Sequence, residues 1–182
     1  GGPLRRLQRP PMRPLLLCLL AGCATAPVIR PPVERDLHSH AEPWRVRTVH
    51  LDLDLALDFD KHVARGSVTH HLLRRDPAAP LVLDTDGIVI HGITDQDGMP
   101  LSWEQPDRAD PVLGKPLTIQ LLPATERVRV HYETAPDAEA MQWLTPEQTQ
   151  GGKQPFLFTQ GQAILTRSWI PLQDTPAVRL TW

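Results

Sequence analysis

The sequence predicts an all-β fold, an antiparallel or mixed β-sandwich over about residues 44–135. Three observations predict it. In "RVRTVHLDLDLALDF" apolar and polar residues alternate strictly, a period of two that belongs to a half-buried strand. The 182-residue chain carries 20 prolines, placed mostly between apolar runs, which suits a loop-rich β architecture better than a helical bundle. No window longer than a few residues shows a helical period. The length is enough for one domain with a real core.

The elements follow in chain order. "MRPLLLCLLAGC", Met12 to Cys23, sets a basic residue before an apolar run and small residues before a cysteine, the layout of a secretory signal. Leu20-Ala21-Gly22-Cys23 resembles the bacterial lipobox, which implies cleavage before Cys23 and acylation of its thiol. The apolar run is shorter than the roughly 20 residues that span a bilayer, so membrane attachment is expected through acyl chains, at roughly 0.8 kcal/mol per buried methylene. The expected location is the periplasmic side of a bacterial cell envelope. Residues 1–23 are read as this signal segment, with Met12 as a candidate start. Residues 24–43, beginning "ATAPVIRPPVERD", read as a Pro-rich tether. Cys18 falls within the signal, so Cys23 would have no partner for an intrachain disulfide.

In the first strand the alternation predicts Val46, Thr48, His50, Asp52 and Asp54 on one face and Val49, Leu51, Leu53, Leu55 and Leu57 on the other. "ARGSVTHHLLRR" follows a short turn at Asp60-Lys61. "LVLDT" and "GIVIHGIT" are compact β-branched runs, and Asp97-Gly98 marks a hairpin-type turn. "KPLTIQLL" and "ERVRVHYET" read as a further antiparallel pair. From Ala135 onward the chain is polar, proline-punctuated and rich in glutamine, which reads as long loops with one short strand near Phe156–Gln160.

The formal net charge is −2, but residues 1–22 hold Arg5, Arg6, Arg9 and Arg13 and no acid, leaving 15 basic and 21 acidic residues beyond them. No basic patch offers a nucleic-acid surface. Asp52, Asp54 and Asp58 do not make a calcium loop: its fifth, sixth and twelfth positions would be Ala56, Leu57 and Val63. They read as the solvated face of a strand. His70 and His71 are adjacent and point to opposite faces, so they cannot share a metal. His38 and His40, in "HSHAE", read as surface or packing residues. There is no H-E-x-x-H zinc helix, phosphate-binding glycine loop or G-x-S-x-G elbow. Read by residues alone, the chain is a binding module without a catalytic centre. Gln160 and Gln162, if on a strand, share a face, and each amide offers two donors and an acceptor.

"MQWLTPEQTQGGKQPFLFTQGQAILTRSWIPLQDTPAVRLTW", Met141 to Trp182, resembles the end of the N-terminal β domain of leukotriene A-4 hydrolase-type (aminopeptidase N-type) zinc metallopeptidases. The shared pattern is Q-W-L, T-P-E-Q-T, F-L-F, Q-x-Q-A and R-x-x-x-P-x-Q-D-T-P. "DLHSHAEPWRVRTVHLDLDL" and "LVLDTDGI" also fit, so the resemblance covers about residues 36–182. It implies a saddle-like β domain over 44–182, incomplete at its C-terminus, ahead of a thermolysin-like zinc domain and a helical domain. It further implies that Gly161, Gln162 and Ala163 contact peptide substrate, with Gln162 near its free α-amine and Gln160 beside them. Arg167 and Asp174 are expected to be structural. Zinc is the implied cofactor, with ligands outside this chain, and peptides are the implied substrates. The expectation is therefore a fragment of an exported zinc aminopeptidase, inactive by itself. The rival expectation is a stand-alone lipid-anchored module binding peptide or glycan, with Trp44, Trp103, Trp143 and Trp169 as its platform.

Overall fold

The alternating stretch at the head of the domain forms a long hairpin with the segment that follows it. Strand β1, Val46–Asp58, pairs antiparallel with β2, Val63–Arg74, around a tight turn in which Asp58 Oδ1 accepts from the backbone N–H groups of Asp60 and Lys61. The computed structural model describes Gly2 and residues 35–182. Cys23, the lipobox and most of the expected tether lie outside the described residues.

Seven further strands follow: β3 Leu81–Thr85, β4 Val89–Asp95, β5 Trp103–Glu104, β6 Lys115–Ile119, β7 Arg127–Glu133, β8 Met141–Leu144 and β9 Phe156–Thr159. They make a four-stranded sheet in the order β1-β2-β7-β4, a three-stranded sheet in the order β3-β6-β5, and the β8-β9 hairpin. Every named pair is antiparallel. The core lies between the two larger sheets. Val68, Val128, Val130 and Ile93 from one meet Leu81, Leu83, Leu117 and Ile119 from the other, all buried. Each such side chain contributes about 1.5–3 kcal/mol on burial. β7 shows why it is central: Val128, Val130 and Tyr132 are buried, and Arg127, Arg129 and His131 between them are exposed.

Three expectations need correction. The alternation of β1 does not hold to one face. A register shift between Thr48 and His50 inserts an extra residue, so Val46 and Thr48 face the core before the bulge and Leu51 faces it after. Second, "KPLTIQLL" and "ERVRVHYET" are not partners. β6 pairs with β3 and β5, whereas β7 pairs with β2 and β4. The segment between them crosses from one sheet to the other, pinned by Arg74 Nη1 donating to the carbonyls of Leu122 and Pro123. Both strands bury alternate residues, and period alone cannot say which sheet a strand joins. Third, the expected tether, 24–43, gives way to ordered chain before its end. Ser39 and Ala41 are buried, His38 to His40 dock through hydrogen bonds with Asp84 and Arg167, and Ala41 N–H donates to Ser39 Oγ.

The hairpin β8-β9 also replaces part of the expected long loop, with Met141 opposite Thr159 and Leu144 opposite Phe156. Gly66 holds its place by necessity. A Cβ there would sit 2.0 Å from the Asp54 carbonyl oxygen across the β1-β2 ladder.

Candidate functional site

The segment carrying Gln160 to Ala163 leaves β9 and turns into a short 3₁₀ helix, Thr166–Ser168. It is tied down at both ends. Gln160 N–H donates to the Ala140 carbonyl at 2.9 Å, and Leu165 N–H donates to the Gly161 carbonyl at 2.9 Å. Ser168 Oγ accepts from Ala140 N–H at 3.0 Å, so β8 holds the far side of the turn.

The strand required for a shared glutamine face ends at Thr159, so Gln160 and Gln162 are not on a strand. Their relation is closer than that: Gln160 Oε1 accepts from Gln162 N–H at 3.1 Å. Gln160 thereby spends its side-chain acceptor on the backbone of the segment. Gln162 and Ala163 are exposed. The peptide bond between them is cis. Gly161 packs so closely on Thr166 that a Cβ would meet Thr166 Oγ1 at 2.1 Å.

Gln162 and Ala163 line an open groove of about 670 Å³ together with Asp36, His38 and the run Leu172 to Pro176. Gln160 and Gly161 do not line it. Asp36 and His38 were not singled out as site residues from the sequence. Thr175 Oγ1 donates to Asp36 Oδ2 at 2.7 Å and His38 N–H to Asp36 Oδ1 at 2.9 Å. These bonds, the Thr175 one first, hold the Asp36 carboxyl below the usual carboxylate range, so it is ionised at neutral pH.

Behind the groove lies a buried ionic network. Arg167 is 1% exposed and Asp84 0%. Arg167 Nε donates to Asp174 Oδ2 at 3.3 Å, Nη1 to the Leu113 carbonyl at 3.0 Å and Nη2 to the His38 carbonyl at 2.7 Å. Asp84 accepts from Ser39 Oγ at 2.5 Å, His40 N–H at 2.7 Å and Asp174 N–H at 3.0 Å. Burial raises the Asp174 carboxyl, with Arg167 opposing. Gln173, 2% exposed, completes the edge of β1: its Nε2 donates to the Val46 carbonyl and its Oε1 accepts from Thr48 N–H. Thus the R-x-x-x-P-x-Q-D-T-P block ties the start of the domain to its end.

Trp103 sits on the edge strand β5, while Trp143 and Trp169 pack against buried residues. No zinc site is built from the groove. Among the described residues the convergent set of His and carboxylate donors is His50, Asp52 and His71, none of which lines it.

Residues 47–182 match the Peptidase M1 N-terminal domain. Leucine aminopeptidase 2 of Aspergillus clavatus is 36% identical over 163 residues, which is 86% of this chain and 26% of that protein. The leukotriene A-4 hydrolase homolog of Botryotinia fuckeliana is 32% identical over 166 residues, 87% of this chain and 25% of its own length. The chain thus spans about a quarter of the length of the curated relatives it matches. Among solved structures, native leukotriene A4 hydrolase from Saccharomyces cerevisiae superposes with a TM-score of 0.72 at 31% identity, covering 81% of this chain and 24% of that one. The M1 zinc metallopeptidase from Deinococcus radiodurans shares the fold, with a TM-score of 0.53 at 20% identity over 76% of this chain and 31% of its own. By sequence and by fold, the chain belongs to the family of M1 peptidase N-terminal domains.

Proposed function

We propose that this chain forms one wall of the peptide-binding cleft of a zinc-dependent aminopeptidase, an enzyme that removes N-terminal residues from peptides. The observation that carries the reading is Gln162 at the groove, exposed and held by a backbone segment fixed at both ends. Its uncharged amide can accept from a substrate's terminal ammonium and donate to a substrate carbonyl. The ionised Asp36 in the same groove favours a cationic amine. Relatives named leucine aminopeptidase 2 and leukotriene A4 hydrolase, the latter also solved in complex with bestatin, support the reaction class.

Zinc would supply carbonyl polarisation and water activation. Its ligands are assigned to parts of the enzyme beyond this chain, whose own share is to bind and orient the peptide. By itself the chain has no peptidase activity. The protein is further proposed to be anchored through an acylated Cys23 at the periplasmic face of a bacterial membrane, on the lipobox-like Leu20 to Cys23.

The test is the full-length protein assayed with aminoacyl anilides. Turnover should be abolished by chelation, restored by zinc and blocked when the substrate amine is acetylated. Full-length protein that leaves these substrates intact with zinc present contradicts the proposal.

A further inference from the structure

We propose that His50, Asp52 and His71 form a binding site for one divalent transition-metal ion of the zinc type on the solvent face of the four-stranded sheet. The site does not depend on the aminopeptidase reading. The β1-β2 register sets His50 directly opposite His71, and Asp52 lies two residues along β1, on the same face as His50. The two imidazole rings meet edge to face with centroids 5.0 Å apart. Asp52 sits between their inner nitrogens: Oδ1 is 3.2 Å from His50 Nε2 and Oδ2 is 2.7 Å from His71 Nε2. One donor atom from each of the three residues lies within 4.8 Å of the others.

Tetrahedral zinc with bonds of about 2.0–2.2 Å places its ligand atoms about 3.4 Å apart, which this cluster reaches by small side-chain rotations. Two imidazoles with one carboxylate suit a borderline ion such as zinc and not calcium or magnesium, which take oxygen donors. The outer shell is also built. His50 Nδ1 lies 2.7 Å from Thr181 Oγ1, so a proton on Nδ1 can be donated to the hydroxyl, freeing Nε2 for the metal. Thr181 is itself fixed on β1, its carbonyl accepting from Leu51 N–H at 2.9 Å and its N–H donating to Val49 O at 3.1 Å. Each imidazole side chain is 34% exposed and Asp52 61%, so an ion reaches the site without any opening of the fold. Arg127 and Arg129 line a neighbouring cavity with Asp52, but neither forms an ion pair with it.

A bound ion would clamp β1 to β2 and, through His50, to the Thr181 segment. Because the three donors converge only in the folded chain, metal binding stabilises that state. The test is calorimetric titration of the 182-residue chain with zinc(II) alone, in a parent carrying Cys18→Ser and Cys23→Ser so that no thiol competes. The parent should take up one ion per chain, and its thermal midpoint should rise with zinc. His50→Gln and His71→Gln keep a polar side chain beside Asp52 and should unfold like the parent without metal, yet bind zinc at least about tenfold more weakly. Thr181→Val should weaken it by about 10–100-fold. A parent that binds no zinc, or glutamine variants whose affinity falls by less than about tenfold, overturns the proposal.

Discussion

Arg167 Nε donates to Asp174 Oδ2 at 3.3 Å, from a guanidinium almost wholly buried behind the groove that Asp174 lines. The same guanidinium reaches the carbonyls of His38 and Leu113, so one side chain joins the head of the domain, the β5–β6 connection and the groove wall. Its Nη1 also lies 3.8 Å from Oδ1 of the buried Asp84, so replacing it leaves Asp84, and the partly buried Asp174, without their cation. Arg167→Met should therefore destabilise the domain by about 3–5 kcal/mol, read from urea midpoints. A loss inside about 1 kcal/mol would mean that the network does not hold the ends together.

Buried His70 should contribute to the acid limb of stability. It is fully buried, with Nδ1 at 3.1 Å from Thr48 Oγ1, and burial lowers its pKa to about 3. The unfolded chain takes up a proton there near pH 6.5. The folded pKa is the lower one, so stability is present above about pH 6.5 and is lost as pH falls through the window toward 3. This residue should remove about 2 kcal/mol between pH 7 and pH 5. In His70→Leu the unfolding free energy should lose that part of its slope over the same range. An unchanged slope would assign acid sensitivity to other groups.

Gly161 carries a steric prediction. A Cβ would strike Thr166 Oγ1 at 2.1 Å, so Gly161→Ala must push the segment away from the 3₁₀ helix and displace Gln162 with it. In the full-length enzyme kcat/KM should fall by roughly 10–100-fold. Adding Thr166→Ala removes the clashing oxygen and should restore most of the loss. Absence of rescue would locate the effect of Gly161→Ala elsewhere.

Cys23→Ser tests the anchor. Fractionation of cells making the full-length protein should show the variant moving from membranes to the soluble periplasmic fraction, as expected when the acyl chains are lost. A variant that stays with the membranes removes the lipobox reading.

Much of the fold could be read from residues. The alternation in β1 and β7 announced strands, and Asp97-Gly98 marked its turn, with Gly98 at φ 79° and Asp95 Oδ1 accepting from Asp97 and Met99 N–H. The bulge near Val49 left one trace, the odd spacing of Val46 and Val49, but a three-residue step between apolar residues does not say which strand position is doubled. The docking of Ser39 onto Asp84 was not legible, a contact between residues 45 apart that depends on where two sheets meet. The Gln160 side chain bonding to Gln162 N–H is a turn property, and the turn followed from no strand period. The His50 and His71 pairing, by contrast, was within reach. Extending the Asp58 to Val63 pairing residue by residue away from the Asp60-Lys61 turn brings His50 opposite His71, ahead of the bulge.

The groove reading rests on Gln162. The most direct measurement is steady-state kinetics of full-length Gln162→Leu on aminoacyl anilides, with zinc content determined on the same sample. Leucine keeps a similar volume and removes the amide. The account predicts kcat/KM lowered by about 10–100-fold, the cost of a lost substrate hydrogen bond to a charged group at about 1.5–3 kcal/mol, with zinc content equal to the parent's. Parent-like kinetics would take Gln162 out of the binding site and leave the groove without its proposed role.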